Sequence, residues 1–216
     1  MGRGLFITGT DTDVGKTYVT ALLVKTLRSA GYDVGYYKAA ISGARTVEES
    51  DAGFVNRFAQ IREPEDMLLS YLYQNPVSPH LAARIEGNPV EKDVIMSAWE
   101  RVTAAYPYVT MEGSGGIMCP IRHDEKAVYY LEDIIRWLRL PVLVVADAGL
   151  GTINRVVTTC EYIRRRNISV KGIILNHWKG GVMEEDNAEM IEEITGGKVL
   201  ARVKRGDTEL DIDPKM

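Results

Sequence analysis

The sequence predicts an α/β fold, a doubly wound and mostly parallel sheet flanked by helices. Short apolar runs such as Val142-Leu143-Val144-Val145-Ala146 show no polar alternation, which suits strands covered on both faces. These runs alternate with helix-length amphipathic segments, the pattern of repeated strand–helix–strand units. A glycine-containing polar loop stands between the first run and the first segment, where such folds place ligand-binding turns. The 216 residues are long enough for one good core and short for two, so a single domain over 1–216 is expected.

The elements follow in order. Leu5-Phe6-Ile7 is the first strand, and Val19, Leu22, Leu23 and Leu27 recur at helical spacing within 16–30, where Gly31 stops the helix. A strand is predicted at 34–37. The stretch 46–106 is less regular and mainly helical, an insertion with helices near 51–58 and 91–105 and a short strand at 68–73. Gln74-Asn75-Pro76 and Ser78-Pro79 are its turns. Strands are then predicted at 108–111, 141–146, 170–175 and 199–203, and helices near 129–138, 152–166 and 183–194. The last helix is read with Met183, Asn187, Met190, Ile191 and Ile194 on one face.

Composition excludes several classes. Hydrophobic residues at 45% and charged residues at 26% rule out a disordered chain. Lys and Arg number 26 against 30 Asp and Glu, and this net charge of -4 argues against a nucleic-acid partner. No apolar run approaches the ~20 residues of a membrane span. The chain turns polar at Thr8, too early for a signal-peptide core, and Phe6 stands where a myristoylated Gly2 needs Ser or Thr. Two cysteines, Cys119 and Cys160, make no disulfide framework or metal motif. A cytoplasmic protein is expected.

The loop reads Gly9-Thr10-Asp11-Thr12-Asp13-Val14-Gly15-Lys16-Thr17 between strand and helix. Its backbone N–H groups can face phosphate oxygens, the helix N-terminus adds its positive end, Lys16 brings a mobile charge and Thr17 can ligate Mg²⁺. Five residues separate Gly9 from Gly15, which is not the standard spacing, and a chance Gly-Lys-Thr at a helix start is the alternative. The nucleotide contacts expected here are Thr12, Asp13, Val14, Gly15, Lys16, Thr17 and Tyr18.

This loop resembles that of the dethiobiotin synthetases, a family of the P-loop NTPase superfamily. The resemblance continues in family order through Lys38-Ala39-Ala40-Ile41-Ser42-Gly43, Ser50-Asp51-Ala52, Ser78-Pro79-His80 and Glu112-Gly113-Ser114-Gly115-Gly116. It then takes in Gly149-Leu150-Gly151-Thr152-Ile153-Asn154 and Gly172-Ile173-Ile174-Leu175-Asn176. Ala39 replaces a usual Pro, Ser114 a common Ala, and the segment from Arg202 is unfamiliar. The resemblance implies an ATP- and Mg²⁺-dependent ligase of biotin biosynthesis. Such an enzyme adds CO₂ to 7,8-diaminononanoate and closes dethiobiotin through a carbamate and a carbamic–phosphoric mixed anhydride. It also implies a homodimer with substrate near the subunit interface.

Residue by residue, Lys16 and Lys38 are the catalytic candidates, Lys38 and Ser42 holding the carbamate and its phosphorylated successor by resemblance. A compact ammonium can follow an oxyanion as its charge moves, although a solvated strand end is the commoner fate of a lysine. Thr17, Asp51 and Glu112 offer an all-oxygen set suited to Mg²⁺. Alternatively Glu112 is a surface carboxylate at a strand end and Asp51 belongs to an ordinary helix start after Ser50. Glu112, Gly113, Ser114 and Gly115 are read beside the nucleotide, with a plain tight turn as the alternative. Asn176, with His177 next to it, could match the adenine edge or cap a turn. Asn176-His177-Trp178-Lys179 lacks the guanine-reading pattern, which favours ATP. Gly149, Gly151, Thr152, Ile153 and Asn154 open a helix whose N–H groups suit the substrate carboxylate, or form an ordinary turn capped by Thr152.

Two other functions compete. A partitioning-type ATPase switch, acting through partners, carries a second lysine early in this loop, and here no Lys precedes Lys16. A stand-alone regulatory domain of the same fold would leave Lys38 and Ser42 without a role.

Overall fold

The computed structural model describes residues 4–213, so Gly2 lies outside the described residues. β1 (Gly4–Gly9) runs through the middle of a seven-stranded sheet and feeds the glycine-containing loop into α1 (Lys16–Ser29). The chain then builds one half of the sheet: β2 (Val34–Ser42), α2 (Asp51–Phe58), α3 (Glu65–Leu68), β3 (Leu69–Tyr73), α4 (Pro79–Ile85) and α5 (Lys92–Ala105). β4 (Tyr108–Gly116) returns between β2 and β1. A hairpin of β5 (Pro120–His123) and β6 (Val128–Tyr130), which the sequence reading did not include, leads into α6 (Leu131–Leu138). The other half is β7 (Val142–Asp147), α7 (Thr152–Arg164), β8 (Val170–Asn176), α8 (Val182–Thr195) and β9 (Val199–Arg202).

The strand order is β3-β2-β4-β1-β7-β8-β9, and every neighbouring pair is parallel. Phe6, Val144 and Ile173 enter one core, while their chain neighbours Ile7, Leu143, Val145 and Ile174 enter the other. Both faces are covered, so the strands read as continuous apolar runs. The chain leaves β1 toward β2 but leaves β4 toward β7. The crevice above the carboxyl ends of β1 and β4 is therefore the place where a doubly wound sheet binds its ligand.

The structure corrects two expectations and one alternative reading. β2 runs on through Ser42 and β4 through Gly116, so neither Lys38 nor Glu112 ends a strand; they pair directly across the two strands. The glycines after Glu112 make an irregularity instead of a simple turn: Ile7 pairs with Glu112 but Gly9 with Gly116, so β4 bulges between them. The buried face of α8 is Glu184, Asn187, Ala188, Ile191 and Thr195, while Met183 and Ile194 are 47% and 51% exposed. Polar residues win the inner face because they satisfy backbone groups. Glu184 accepts from the N–H groups of Lys179 (2.8 Å) and Gly180 (2.6 Å), and Asn187 donates to the Ala148 carbonyl (3.0 Å).

Glu184→Ala should therefore cost about 1–3 kcal/mol of stability by removing two charge-assisted hydrogen bonds to the Lys179 and Gly180 N–H groups. Met183→Ser and Ile194→Ser should each change it by about 0.5 kcal/mol or less. Urea midpoints of the three variants test the reassigned face, and the reverse ranking would restore the apolar one.

Candidate active site

The loop after β1 is shaped by two left-handed residues, Asp13 (φ 59°) and Gly15 (φ 84°), which flank Val14. Alternation of this kind turns successive N–H groups to one side and makes an anion-binding hollow. An added Cβ at Gly15 would also lie 2.1 Å from the Asn176 amide, so the position needs glycine on two counts. Asn176, 2% exposed, donates from Nδ2 to the Val14 carbonyl (2.9 Å) and ties the loop to the end of β8. Lys16 folds back and donates to the Asp11 carbonyl (3.0 Å).

Beside the loop lies a cavity of about 330 Å³. Of the residues singled out from the sequence, Thr12, Asp13, Gly15, Lys16, Thr17, Lys38, Ser42, Asp51, Glu112, Ser114 and Gly115 line it. At its floor Lys38 donates to Asp51 Oδ2 (2.6 Å) and to Glu112 Oε1 (2.7 Å). The Thr17 hydroxyl donates to the same Glu112 oxygen (2.7 Å), and the Tyr36 hydroxyl to Glu112 Oε2 (3.0 Å). Lys38 and Glu112 are 3% and 1% exposed, so this is a buried ion cluster open to solvent only on the Asp51 side.

The charges set one another. Burial pushes the Lys38 ammonium down, but Glu112 and Asp51 outweigh it and hold Lys38 above the usual lysine range. Burial pushes the Asp51 carboxyl up, and Lys38, with smaller help from Thr17 and Lys16, more than reverses this. Lys16 is pushed down, first by burial and then by repulsion from Lys38. Burial raises the Cys119 thiol to about 11, which removes it as a nucleophile near neutral pH.

Two carboxylates around an ammonium, Glu112 buried and Asp51 46% exposed, form a hard-oxygen donor set with the Thr17 hydroxyl that bonds Glu112. They fit Mg²⁺, which is commonly held by one or two carboxylates together with substrate phosphates. Lys38 stands among the oxygens such an ion would need.

Other expected residues lie elsewhere. Tyr18 donates its hydroxyl to the Asp207 carbonyl and stacks edge-on against Phe58, pinning the segment after β9 to α1. His177 pairs through Nδ1 with Asp147 (2.7 Å) beyond β8. Gly113 is glycine because a Cβ would lie 2.8 Å from the Phe6 ring, a packing reason distinct from ligand approach. The Ser114 hydroxyl donates to the Ala40 carbonyl (2.7 Å) and links the bulge to β2. Gly149, Gly151, Thr152, Ile153 and Asn154 form the turn into α7, outside the lining of this cavity. The buried Thr152 hydroxyl there has no partner among the described residues. Sequence reasoning missed Tyr36 and Ile41. Tyr36 was findable, since it precedes Lys38 by two residues on a strand and so shares its face.

The chain matches the AAA domain family over residues 3–208. It is 48% identical to the ATP-dependent dethiobiotin synthetase BioD of Brachyspira hyodysenteriae, over 98% of this chain and 96% of that protein. With the ATP-dependent dethiobiotin synthetase BioD of Clostridium kluyveri it shares 43% identity, over 94% of this chain and 86% of that one. Among solved structures, the MinC:MinD cell division protein complex of Aquifex aeolicus aligns with a TM-score of 0.58 at 16% identity, covering 94% of this chain and 81% of that chain. A ParA family ATPase from Chlorobium tepidum aligns with a TM-score of 0.53 at 13% identity, covering 96% and 86%. The last two are likenesses of fold.

Lys38→Met would leave Glu112 buried beside no cation, and such losses cost about 3–5 kcal/mol. The contribution of the lowered Asp51 carboxyl is full above its unfolded value and is lost as pH falls through the lower folded one. Ligand-free Lys38→Met should thus unfold at clearly lower urea than the parent at neutral pH, with the gap narrowing in acid. Equal midpoints at neutral pH would show that the ion cluster does not hold the site.

Proposed function

This chain belongs to the ATP-dependent dethiobiotin synthetase family, and on that basis we propose how its residues divide the work of ring closure. The activity is ATP-dependent formation of dethiobiotin in biotin biosynthesis. Its substrates are 7,8-diaminononanoate and CO₂. One amine bonds to CO₂ and loses a proton, giving a carbamate. A carbamate oxygen attacks the γ-phosphorus of ATP and ADP departs, leaving the carbamic–phosphoric mixed anhydride. The second amine attacks the carbonyl carbon, phosphate leaves, and a proton is lost as the cyclic urea closes.

The observation that carries the assignment is the Lys38–Asp51–Glu112 cluster at the mouth of the phosphate loop. Asp13 to Thr17 offer backbone N–H groups to the phosphates, and Lys16 exchanges the Asp11 carbonyl for a phosphate oxygen. Thr17, Asp51 and Glu112 would hold Mg²⁺, which would supply positive charge to offset the charge developing on the phosphates. Lys38, whose partners are those same carboxylates, turns toward the carbamate oxygens and stays with them as charge moves to the anhydride. Ser42 lies on the same wall and orients the substrate.

The turn from Gly149 to Asn154 takes the substrate's carboxylate, presented to the partner's phosphate loop in a homodimer. Its support is the open helix start at Gly151 and the orphan Thr152 hydroxyl. Asn176 keeps its donor on Val14, so it supports the base through the loop it fixes. A cytoplasmic location agrees with these substrates; among the described residues no helix is long and apolar enough to cross a membrane. The partitioning-type switch is not favoured. Its likenesses are of fold alone, and no lysine precedes Lys16.

The test is turnover with 7,8-diaminononanoate, bicarbonate and Mg-ATP, followed by the mass of dethiobiotin. Lys16→Ala should lower turnover by about 10²–10³-fold with the fold intact. Glu112→Gln should raise the Mg²⁺ requirement together with the loss of rate, since an amide oxygen is a poorer ligand for a hard cation. Lys38→Ala should bind Mg-ATP and make no product. Both Lys38→Ala and Glu112→Gln losing ATP equally by calorimetry would contradict this division. For the shared site, a bulky residue at Gly151 mixed with Lys38→Ala should recover activity through mixed dimers. No recovery despite proven subunit exchange would remove it.

A further inference from the structure

Tyr36 has no part in the chemistry above, yet its hydroxyl bonds one of the two oxygens of Glu112. It is 2% exposed, lies outside the cavity lining, and points from the same face of β2 as Lys38. Glu112 Oε1 receives Thr17 and Lys38, each at 2.7 Å, from the cavity side. Glu112 Oε2 receives the Tyr36 hydroxyl at 3.0 Å from beneath. One oxygen is offered and the other is held.

We propose that Tyr36 is a positioning residue that restricts Glu112 to one-oxygen metal coordination and thereby favours Mg²⁺ over Ca²⁺. The inference rests on the reading of Glu112 as a metal ligand. Mg²⁺ demands a compact octahedron, whereas Ca²⁺ accepts a carboxylate through both oxygens at longer range. With Oε2 accepting the Tyr36 hydroxyl at 3.0 Å, rotating the carboxylate so that both oxygens face one ion strains that bond. Removing the hydroxyl frees the carboxylate to rotate and to chelate the larger ion. Thr110 supplies the control. It lies opposite Tyr36 in the β2–β4 register, and its buried hydroxyl has no partner among the described residues. Thr110→Val therefore removes a buried hydroxyl from this strand pair without a bond to Glu112.

The experiment titrates Mg²⁺ and Ca²⁺ separately, by calorimetry, into the full chain with a saturating non-hydrolysable ATP analogue, and melting curves confirm the fold. Tyr36→Phe should weaken Mg²⁺ binding by about tenfold, the scale seen when a ligand loses its supporting hydrogen bond. Ca²⁺ binding should weaken by about threefold or less, or improve, so the preference narrows. Thr110→Val should keep the parent's ratio, and Tyr36→Met serves as a second hydroxyl-free variant if Tyr36→Phe folds poorly. An unchanged ratio in both Tyr36 variants, with Glu112→Gln losing Mg²⁺, overturns this inference alone. An equal shift in Thr110→Val overturns it too, by showing general loosening. Mg²⁺ binding by Glu112→Gln at the parent's strength would instead overturn the metal reading beneath it.

Discussion

Glu112 is a carboxylate with no exposed side-chain surface, and removing an unpaired charge from water costs several kcal/mol. Lys38 resolves this at 2.7 Å, and Asp51 shares the ammonium at 2.6 Å from the solvent side. The rest of the site is arranged around that requirement. β2 and β4 must be neighbours in register for Lys38 to meet Glu112, and α2 must begin where Asp51 can reach over the strand ends. The phosphate loop must close against the same cluster, which it does through Thr17. The oxygens that satisfy the ammonium are also the donor set proposed for Mg²⁺, so one group of residues would serve a structural need and a chemical one.

The supports of the site come from across the sheet. Asn176 at the end of β8 fixes the loop through Val14, and Ser114 in the β4 bulge holds the β2 backbone through Ala40. Tyr18, inside α1, anchors the segment that follows β9. A crevice between two strand ends is thereby held by elements from both halves of the fold. Such cross-bracing keeps charged groups near one geometry and lowers the reorganisation needed when charge moves during phosphoryl transfer.

Much of this was legible in the sequence, because the fold's signals are local. Continuous apolar runs reported two covered faces, and the Gly15-Lys16-Thr17 start of α1 reported the phosphate loop. What stayed hidden depends on pairing over distance. Glu112 looked like a strand end since Gly113 and Ser114 follow it, and Lys38 since a charge closes the run 34–37; only the β2–β4 register puts them in contact inside the sheet. The inner face of α8 includes Asn187 and Ile191 as the spacing suggests, but Glu184 is buried where Met183 was expected, because it accepts from the backbone N–H groups of Lys179 and Gly180 in the turn before the helix. Tyr36 was hidden for a simpler reason. An aromatic residue in a strand is normally core, and the polar end of this one finds Glu112 only through tertiary placement.

The central claim is that Lys38 changes partners, from two carboxylates in the free protein to the reacting oxyanion in the working one. A structure of the protein with Mg²⁺, a non-hydrolysable ATP analogue and 7,8-diaminononanoate measures this directly. The account predicts Lys38 Nζ beyond hydrogen-bond distance of Glu112 Oε1 and aimed between the γ-phosphate and the substrate nitrogen, with Thr17, Asp51 and Glu112 around the ion. Lys38 still 2.7 Å from Glu112, with the ion bound elsewhere, would contradict it.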